Sequence, residues 1–488
     1  MSSGLILSII LGYFLVLMLI SAFTSKHADS ASFFLGDRKS PWFVVAFGML
    51  GASLSGVTFI SVPGWIIDTD FAYMQMVFGY FFGYLVIAFV LLPIYYRLNL
   101  TSIYTYLDNR FGLAAYKTGA WFFLVSRVIG ASFRLYIVAD VLQLVVFDAW
   151  GVPFWLTVII SIIFIWLYTF RGGIKTIIWT DFLQTTLMLS ALIATIVILS
   201  RQMGLSFTGL VDAIQSSTYS KMFVFDDWHS KQHFVKQILS GMLITIVMTG
   251  LDQDMMQKNL SCKNLKDAKK NMVSYGLAFI PFNLLFLSLG VLLVLFSNAN
   301  GHALPADTDH LFPLLAQSQL GSVVFVMFIL GLTASAYSSS DSALTALTTS
   351  FTVDILGRQN QEERKLKKTR MRVHVGMSII LAIVILIFSV FKDRSVVDSI
   401  FTVASYTYGP LLGMFAFGIL TKRKTRTKWI PIAALLSPPL ALLIKILVSN
   451  LWGWEMAYEL LLINGGICFI GLWVLSFGMS KKLKVESL

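Results

Sequence analysis

Apolar segments, most of them about 20 residues or longer, recur along the whole chain and restrict its fold more than any other feature. A helix needs about 20 apolar residues to cross the hydrocarbon core of a bilayer. Only 13% of the 488 residues are charged, against roughly 25% in soluble domains. The pattern predicts an all-α membrane protein with a single polytopic domain over residues 1–488.

We count thirteen apolar segments and number them zero to twelve. They lie at about 4–24, 41–67, 72–96, 115–147, 152–170, 176–200, 233–257, 271–297, 318–348, 371–391, 396–420, 428–449 and 457–479. Each segment is predicted to be a transmembrane helix.

The formal net charge of +12 could indicate a nucleic-acid-binding protein, but the positions of the charges argue against it. Most Lys and Arg residues lie in alternate connections, with the densest clusters at Lys258–Lys270, Arg358–Arg372 and Lys422–Lys428. Basic connections stay on the cytoplasmic side of a membrane. We therefore expect a multi-pass protein of a bacterial inner membrane, with its N-terminus outside and its C-terminus cytoplasmic. The two cysteines indicate neither a disulfide framework nor a metal site.

Two segments carry helix-breaking patterns. Segment one contains Gly51 and Gly56 with hydroxyl residues between them, and segment six contains Thr249-Gly250 followed by acidic residues. Unwound helix at membrane depth is tolerated where it is buried in protein or lines a wet cavity. Breaks five segments apart favour an inverted five-plus-five repeat with a binding site at the breaks. Close helix packing at the glycines is the alternative.

Segment eight carries a stripe of hydroxyl groups. Ser335, Ser338, Ser339 and Ser342 are spaced i, i+3, i+4 and i+7, so they share one helical face. Hydroxyl and freed carbonyl oxygens are ligands that hard cations prefer. Helix packing with hydroxyls bonded to backbone carbonyls is the alternative.

Charged residues inside the apolar segments include Asp181, Asp341, Arg127 and Arg134. Such residues are costly in a membrane and commonly mark ion or substrate paths. Arg134 is a candidate anchor for a carboxylate, since its planar fork matches that group. An internal ion pair, with Asp140 as one possible acid, is the alternative for Arg134. Arg127 is expected to be structural or part of an inner gate, and either aspartate could bind a proton instead of a metal ion.

Together, the motifs resemble those of the sodium/solute symporters, which have the LeuT-type fold. They are Gly51-Ala52-Ser53-Leu54-Ser55-Gly56-Val57-Thr58-Phe59, Gly172-Gly173-Ile174 through Trp179-Thr180-Asp181, Gly250-Leu251-Asp252-Gln253 through Gln257, and the segment-eight serines. The resemblance covers essentially the whole chain. It implies two repeats at 41–200 and 233–420, an extra N-terminal helix at 4–24, and two extra C-terminal helices within 428–479.

The resemblance also implies ligands for sodium. A first sodium site would use Gly51, Leu54, Ser335, Ser338 and Ser339. Some members hold a second sodium ion, and the corresponding positions here are Asp181, Ser338, Asp341 and Ser342. Asp341 departs from the serine expected in sialic-acid transporters.

In those sialic-acid transporters, segment-one hydroxyls and a segment-three arginine bind the carboxylated sugar. The matching positions are Ser53, Ser55, Thr58 and Arg134; Gln75 is nearest to the segment-two glutamine, although its spacing departs from the pattern. The resemblance implies a sodium symporter that imports a small organic anion by alternating access. We expect it to be a monomer in contact with membrane lipid. A neutral sugar, polyol or amino acid is the alternative solute. An intramembrane enzyme lacks support, since no nucleophile or protease motif is present.

When the solute is an anion, a second sodium ion increases the driving force for its uptake. One sodium carried with one monoanion moves no net charge, so a tenfold sodium gradient supplies only about 1.4 kcal/mol. Two sodium ions would supply roughly 5 kcal/mol when a 100 mV potential is added. The sequence thus leads to the hypothesis of two sodium ions per cycle.

Overall fold

The computed structural model describes residues 3–26, 30–391, 396–477 and 479, and within these ranges the chain is helical without strands. The basic tail after 480 lies outside the described residues. The helices are α1 Ser3–Thr24, α2 Ser30–Leu35, α3 Trp42–Ser53, α4 Gly56–Thr69, α5 Tyr73–Val86, α6 Leu92–Arg97, α7 Thr105–Phe111, α8 Leu113–Leu142, α9 Phe154–Gly172, α10 Ile174–Gln202, α11 Phe207–Gln215, α12 Phe234–Thr245, α13 Gln253–Leu260, α14 Leu265–Ala299, α15 Leu311–Ser318, α16 Gly321–Ser350, α17 Glu363–Phe391, α18 Val396–Thr407, α19 Gly409–Leu420, α20 Ile430–Trp452 and α21 Leu460–Leu475.

The number of membrane spans depends on how bent helices are counted. Among the described residues, eight helices are long and apolar enough to cross a membrane, or up to ten if each bent pair forms one span. Shorter apolar helices occupy 42–53, 154–170 and 460–475. Helices lie in every predicted segment, but the count of thirteen spans, like the repeat boundaries, stays a prediction.

The break predicted in segment one is confirmed. Helix α3 ends at Ser53 and α4 begins at Gly56, and Leu54 and Ser55 between them leave helical geometry with ψ of 42° and 179°. A glycine is required at position 56 because Val138 approaches the backbone closely there. An added Cβ would lie 2.7 Å from a methyl group of Val138.

The break predicted in segment six is also confirmed, and a third break was not predicted. The helix ending at Gly250 meets α13 at 65°, and Asp252 begins α13 by accepting a hydrogen bond from the Asp254 N–H at 2.9 Å. In segment ten, α18 and α19 meet at 48° around Tyr408. The Gly409-Pro410 pair was the available signal, because proline cannot continue the hydrogen-bond ladder of a preceding helix.

Helix α16 lies at the centre of the bundle and positions the site. Every residue from Gly331 to Ser350 is buried, and α16 packs against α3, α4, α8, α10 and α13. The serine face of this helix is therefore in contact with protein and not with lipid.

The two ends of the bundle differ in charge. One end, here called the basic end, holds the three clusters of Lys and Arg, and contacts join its connections: Arg110 donates to the Arg423 carbonyl at 2.9 Å, and Lys117 to the Ile355 carbonyl at 2.8 Å. The other, here called the opposite end, holds residues 203–232 and 299–320, and there Phe71 donates its N–H to the Tyr219 carbonyl at 3.0 Å.

Candidate functional site

A cavity lies beside the break between α3 and α4. Its walls come from that break and from α5, α8, α12, α14 and α18, and about 750 Å³ of space lies between the lining atoms, part of it open to solvent. Its polar lining residues are Ser53, Ser55, Thr58, Tyr73, Tyr80, Tyr84, Arg127, Arg134, Thr245, Thr249 and Tyr275. The space is thus surrounded by hydroxyl groups, and its only charged lining groups among the described residues are two guanidinium groups.

Four of the five predicted substrate residues meet in this cavity. Ser53, Ser55, Thr58 and Arg134 line it, whereas Gln75 does not. The Gln75 amide is fully buried and bonded to backbone: it donates to the Gln232 carbonyl at 2.9 Å and accepts from the Val224 N–H at 3.0 Å. Gln75 therefore holds the connection at the opposite end against α5.

Arg134 has no acidic partner within salt-bridge distance in the part of the chain that the structure describes. Asp140, the acid considered for it, lies instead 3.3 Å from the His310 imidazole. An arginine cannot readily give up its charge, so the Arg134 guanidinium presents an uncompensated positive charge to the cavity.

Tyrosines contribute a set of functional groups that sequence reasoning missed. Tyr73, Tyr80 and Tyr84 are spaced i, i+7 and i+11 on α5, which is the helical signal that would have found them. Their hydroxyls extend the network across the cavity: Tyr84 donates to Tyr275 at 2.8 Å, and Tyr275 donates to Ser53 at 2.6 Å.

The serine face of α16 lies beside the same break. An added Cβ on Gly56 would lie 3.5 Å from Cα of Ala336, between Ser335 and Ser339 in sequence. Ser335 donates to the Leu332 carbonyl at 2.9 Å, and Ser339 to the Ala336 carbonyl at 3.0 Å. Because these hydrogens point back along the helix, the lone pairs of both oxygens stay available as ligands.

The segment-one carbonyls complete this candidate cation site. Within the described residues, neither the Gly51 nor the Leu54 carbonyl accepts a hydrogen bond, because the helix stops at Ser53. Gly51 approaches α10 so closely that an added Cβ would overlap the Thr185 hydroxyl. Unpaired buried carbonyls are unfavourable alone, and a hard cation satisfies them.

Known proteins that resemble this chain identify its family. The model of the sodium:solute symporter family matches residues 33–428. The chain belongs to this family. The sodium/sialic acid symporter of Proteus mirabilis is 24% identical over 435 residues, which cover 85% of this chain and 84% of that protein. The sodium/sialic acid symporter of Aliivibrio fischeri is 24% identical over 425 residues, covering 84% and 82%.

A solved structure shows the fold of the symporter. A Na⁺-coupled sialic acid symporter in a substrate-bound outward-open state matches with a TM-score of 0.83 at 18% identity, covering 98% of this chain and 99% of that chain. The LeuT-type fold predicted from the motifs is confirmed. Family membership makes the protein an integral membrane, sodium-coupled secondary transporter and not an enzyme.

In the symporter, Asp181 has a partner that the sequence pattern did not indicate. Lys258, expected in a basic connection, lies on α13 with a side chain only 1% exposed, and its ammonium is 2.7 Å from Oδ2 of Asp181. Ser338 donates to the other carboxylate oxygen at 2.6 Å. Two predicted second-site residues, Asp181 and Ser338, are thus in contact. The ammonium of Lys258, which lies on α13, is bonded to the same carboxylate.

Asp341 and Ser342 form the other half of the predicted second site. Asp341 is fully buried and accepts a hydrogen bond from the Tyr168 hydroxyl at 2.7 Å, and a longer one from Ser342 at 3.3 Å. No lysine or arginine lies within salt-bridge distance of Asp341 in the described chain. The two aspartates therefore have different partners.

Arg127 lines the cavity nearer the basic end of the symporter than Arg134 does. Its guanidinium pairs with Asp254 and lies 4.0 Å from Asp252. The Tyr408 hydroxyl also bonds to Asp252, so this cluster joins α8 to the breaks of segments six and ten. Arg127 and Arg134 lie on the same side of α8, yet only Arg127 is paired.

Proposed function

We propose that the symporter imports a small organic anion with a carboxylate group, together with sodium, by alternating access. An acidic sugar such as sialic acid is the first candidate. The observation that carries the proposal is the unpaired Arg134 guanidinium in a cavity lined by hydroxyls. A carboxylate is the natural partner, because an arginine fork binds its two oxygens with parallel hydrogen bonds.

The hydroxyl groups of the cavity support a polar, oxygen-rich solute. Ser53, Ser55 and Thr58 come from the broken helix, and Tyr84 and Tyr275 face them from α5 and α14. Each hydroxyl can donate and accept, which suits the hydroxyls and amide of an acidic sugar. Two relatives that match most of the chain are named as sodium/sialic acid symporters, which supports this choice.

For the coupling ion we propose a sodium site between the segment-one break and α16. Its ligands would be the carbonyls of Gly51, Leu54 and Ser335 and the hydroxyls of Ser338 and Ser339. The unpaired carbonyls of Gly51 and Leu54 and the available lone pairs of the Ser339 hydroxyl support this assignment. Because the broken helix also lines the solute cavity, binding of the ion and of the solute would depend on the same backbone geometry.

Arg134→Ala tests the anion assignment. The expected result is that sodium-driven uptake of N-acetylneuraminate into proteoliposomes falls in kcat/KM by about 10- to 100-fold, since a charge-assisted hydrogen bond contributes roughly 1.5–3 kcal/mol. Binding of the same compound, measured as sodium-dependent thermal stabilisation of the purified protein, should weaken in parallel.

Arg201→Ala is the matched control, because Arg201 is exposed at the end of α10. Uptake by this variant should equal that of the wild type. Unchanged carboxylate uptake by the Arg134 variant would refute the anion assignment. A wild-type protein stabilised by neutral sugars, polyols or amino acids, and not by carboxylates, would support the alternative solute class instead.

We further propose that the symporter is a monomer in a bacterial inner membrane, with its N-terminus outside and the basic end facing the cytoplasm. The clusters of Lys and Arg at one end of the bundle support this orientation. The orientation is measured by labelling single cysteines in intact cells with a membrane-impermeant thiol reagent. Labelling at the basic end would contradict the orientation.

A further inference from the structure

The ammonium of Lys258 lies where the neighbouring side chains are suited to bind a cation. Its ammonium lies 2.7 Å from one oxygen of Asp181, and the Ser338 hydroxyl lies 2.6 Å from the other. Both charged side chains are at most 1% exposed. Each carboxylate oxygen therefore already has a partner, and the pair is neutral as a unit.

The fold holds Lys258 in this place from two directions. Its helix α13 packs against α10, which carries Asp181, and against α16, which carries Ser338. The Lys258 carbonyl accepts a hydrogen bond from the Ser261 hydroxyl at 2.6 Å, at the end of α13. The ammonium is thus tied to a helix that directly follows the break in segment six.

We propose that the ammonium of Lys258 takes the place of a second sodium ion on Asp181 and Ser338, so that the symporter binds one sodium ion per cycle. The proposal rests on the proposed function, in which one sodium ion binds between the segment-one break and α16. A sodium ion on Asp181 and Ser338 would lie beside the ammonium, and two positive charges at such short range repel strongly in a dry interior.

The consequence for transport is electrical. A carboxylate solute and one sodium ion together carry no net charge, and Lys258 does not cross the membrane because it is part of the chain. Uptake should therefore be electroneutral and limited by the sodium gradient alone. This outcome replaces the hypothesis of two sodium ions, which assumed that Asp181 was available to a metal ion.

The first test counts sodium ions on the purified, detergent-solubilised protein without any solute. Radioactive sodium binding at saturation is measured at constant ionic strength, with choline chloride as the balancing salt. We expect one sodium ion per wild-type chain and two per Lys258→Met chain, since the variant frees Asp181. The double variant D181N/K258M should return to one.

Lys365→Met is the matched control, because it removes a lysine from an exposed pair with Glu362, and it should bind one sodium ion. Two sodium ions on the wild type, whether on Asp181 or Asp341, would overturn the proposal. So would a folded Lys258→Met protein that binds only one. A wild type that binds none would instead overturn sodium coupling itself, and with it the proposed function.

A second measurement needs no variant and decides the case if Lys258→Met does not fold. Uptake of N-acetylneuraminate by wild-type proteoliposomes is compared with and without an inside-negative potassium diffusion potential set by valinomycin. We expect the same initial rate under both conditions. Uptake that rises several-fold with the potential would show net inward positive charge and overturn the proposal.

Discussion

At the scale of single residues, two arginine side chains differ in their pairing because of what surrounds them. Arg127 and Arg134 lie seven residues apart on α8, and both line the cavity. Arg127 pairs with Asp254, and Arg134 has no acidic partner among the described residues. The first is therefore held in an internal ion pair and the second is free to pair with a solute, a distinction that helical spacing alone could not make.

The serines of α16 show the same dependence on direction. Ser339 and Ser340 both donate to the Ala336 carbonyl, at 3.0 and 2.9 Å. They are equally tied to the helix, but they differ by about 100° around its axis. Only Ser339 belongs to the predicted cation site, so the two residues form a matched pair for an experiment.

Ser339→Ala should raise the sodium concentration required for half-maximal uptake by about tenfold, which corresponds to roughly 1.4 kcal/mol for one lost oxygen ligand. Sodium-dependent uptake into proteoliposomes measures this concentration. Ser340→Ala should leave it unchanged. Equal effects of both substitutions would indicate a packing role for the serines and would count against the sodium site.

At the scale of helices, packing determines where the broken segments are held. Helices α5 and α12 cross at Gly79 and Gly241, where an added Cβ would lie 2.3 Å from the Ile238 carbonyl oxygen and 2.1 Å from that of Met76 respectively. Since α12 leads into the break of segment six, this crossing fixes one side of the cavity.

Gly241→Ala should therefore lower the free energy of unfolding by about 1–3 kcal/mol, the usual cost of overpacking. Thermal unfolding of the purified protein in detergent, with reversibility tested, measures the change. Gly376→Ala is the control, since nothing lies within 4 Å of its added Cβ. If Gly241→Ala were as stable as this control, the close crossing would not contribute to stability.

At the scale of the whole molecule, a buried polar cluster links distant helices on the side of the cavity nearer the basic end. The Arg127–Asp254 pair and the Tyr408–Asp252 hydrogen bond connect α8 with the breaks of two segments. We expect exposure of the cavity to that side to require separation of these contacts, so that the cluster acts as a gate. Its removal should then favour the state open to the basic end.

Asp254→Asn tests the gate by removing one charge of the pair with little change in shape. A cysteine at Ser126, which lies beside Arg127 and Arg134, reports access from the basic end. Labelling of Ser126→Cys by an impermeant thiol reagent, in inside-out vesicles, should become several-fold faster when Asp254→Asn is added. The exposed Glu362→Gln serves as control. An unchanged labelling rate would contradict the gate.

Sequence patterns alone determined the helical membrane fold, the breaks in segments one and six, and the serine face of α16. These features follow from local chemistry: apolar length, helix-breaking glycines and helical spacing act within one segment. They also led to Ser53, Ser55, Thr58 and Arg134, which the structure brings to one cavity.

Only the tertiary structure decided which buried charges have partners. Lys258 reaches Asp181 across 77 positions of sequence, and Tyr408 reaches Asp252 across 156. No periodicity within a segment records such contacts, because they depend on how helices from distant parts of the chain pack. For the same reason the sequence did not show that the Gln75 amide holds a connection at the opposite end.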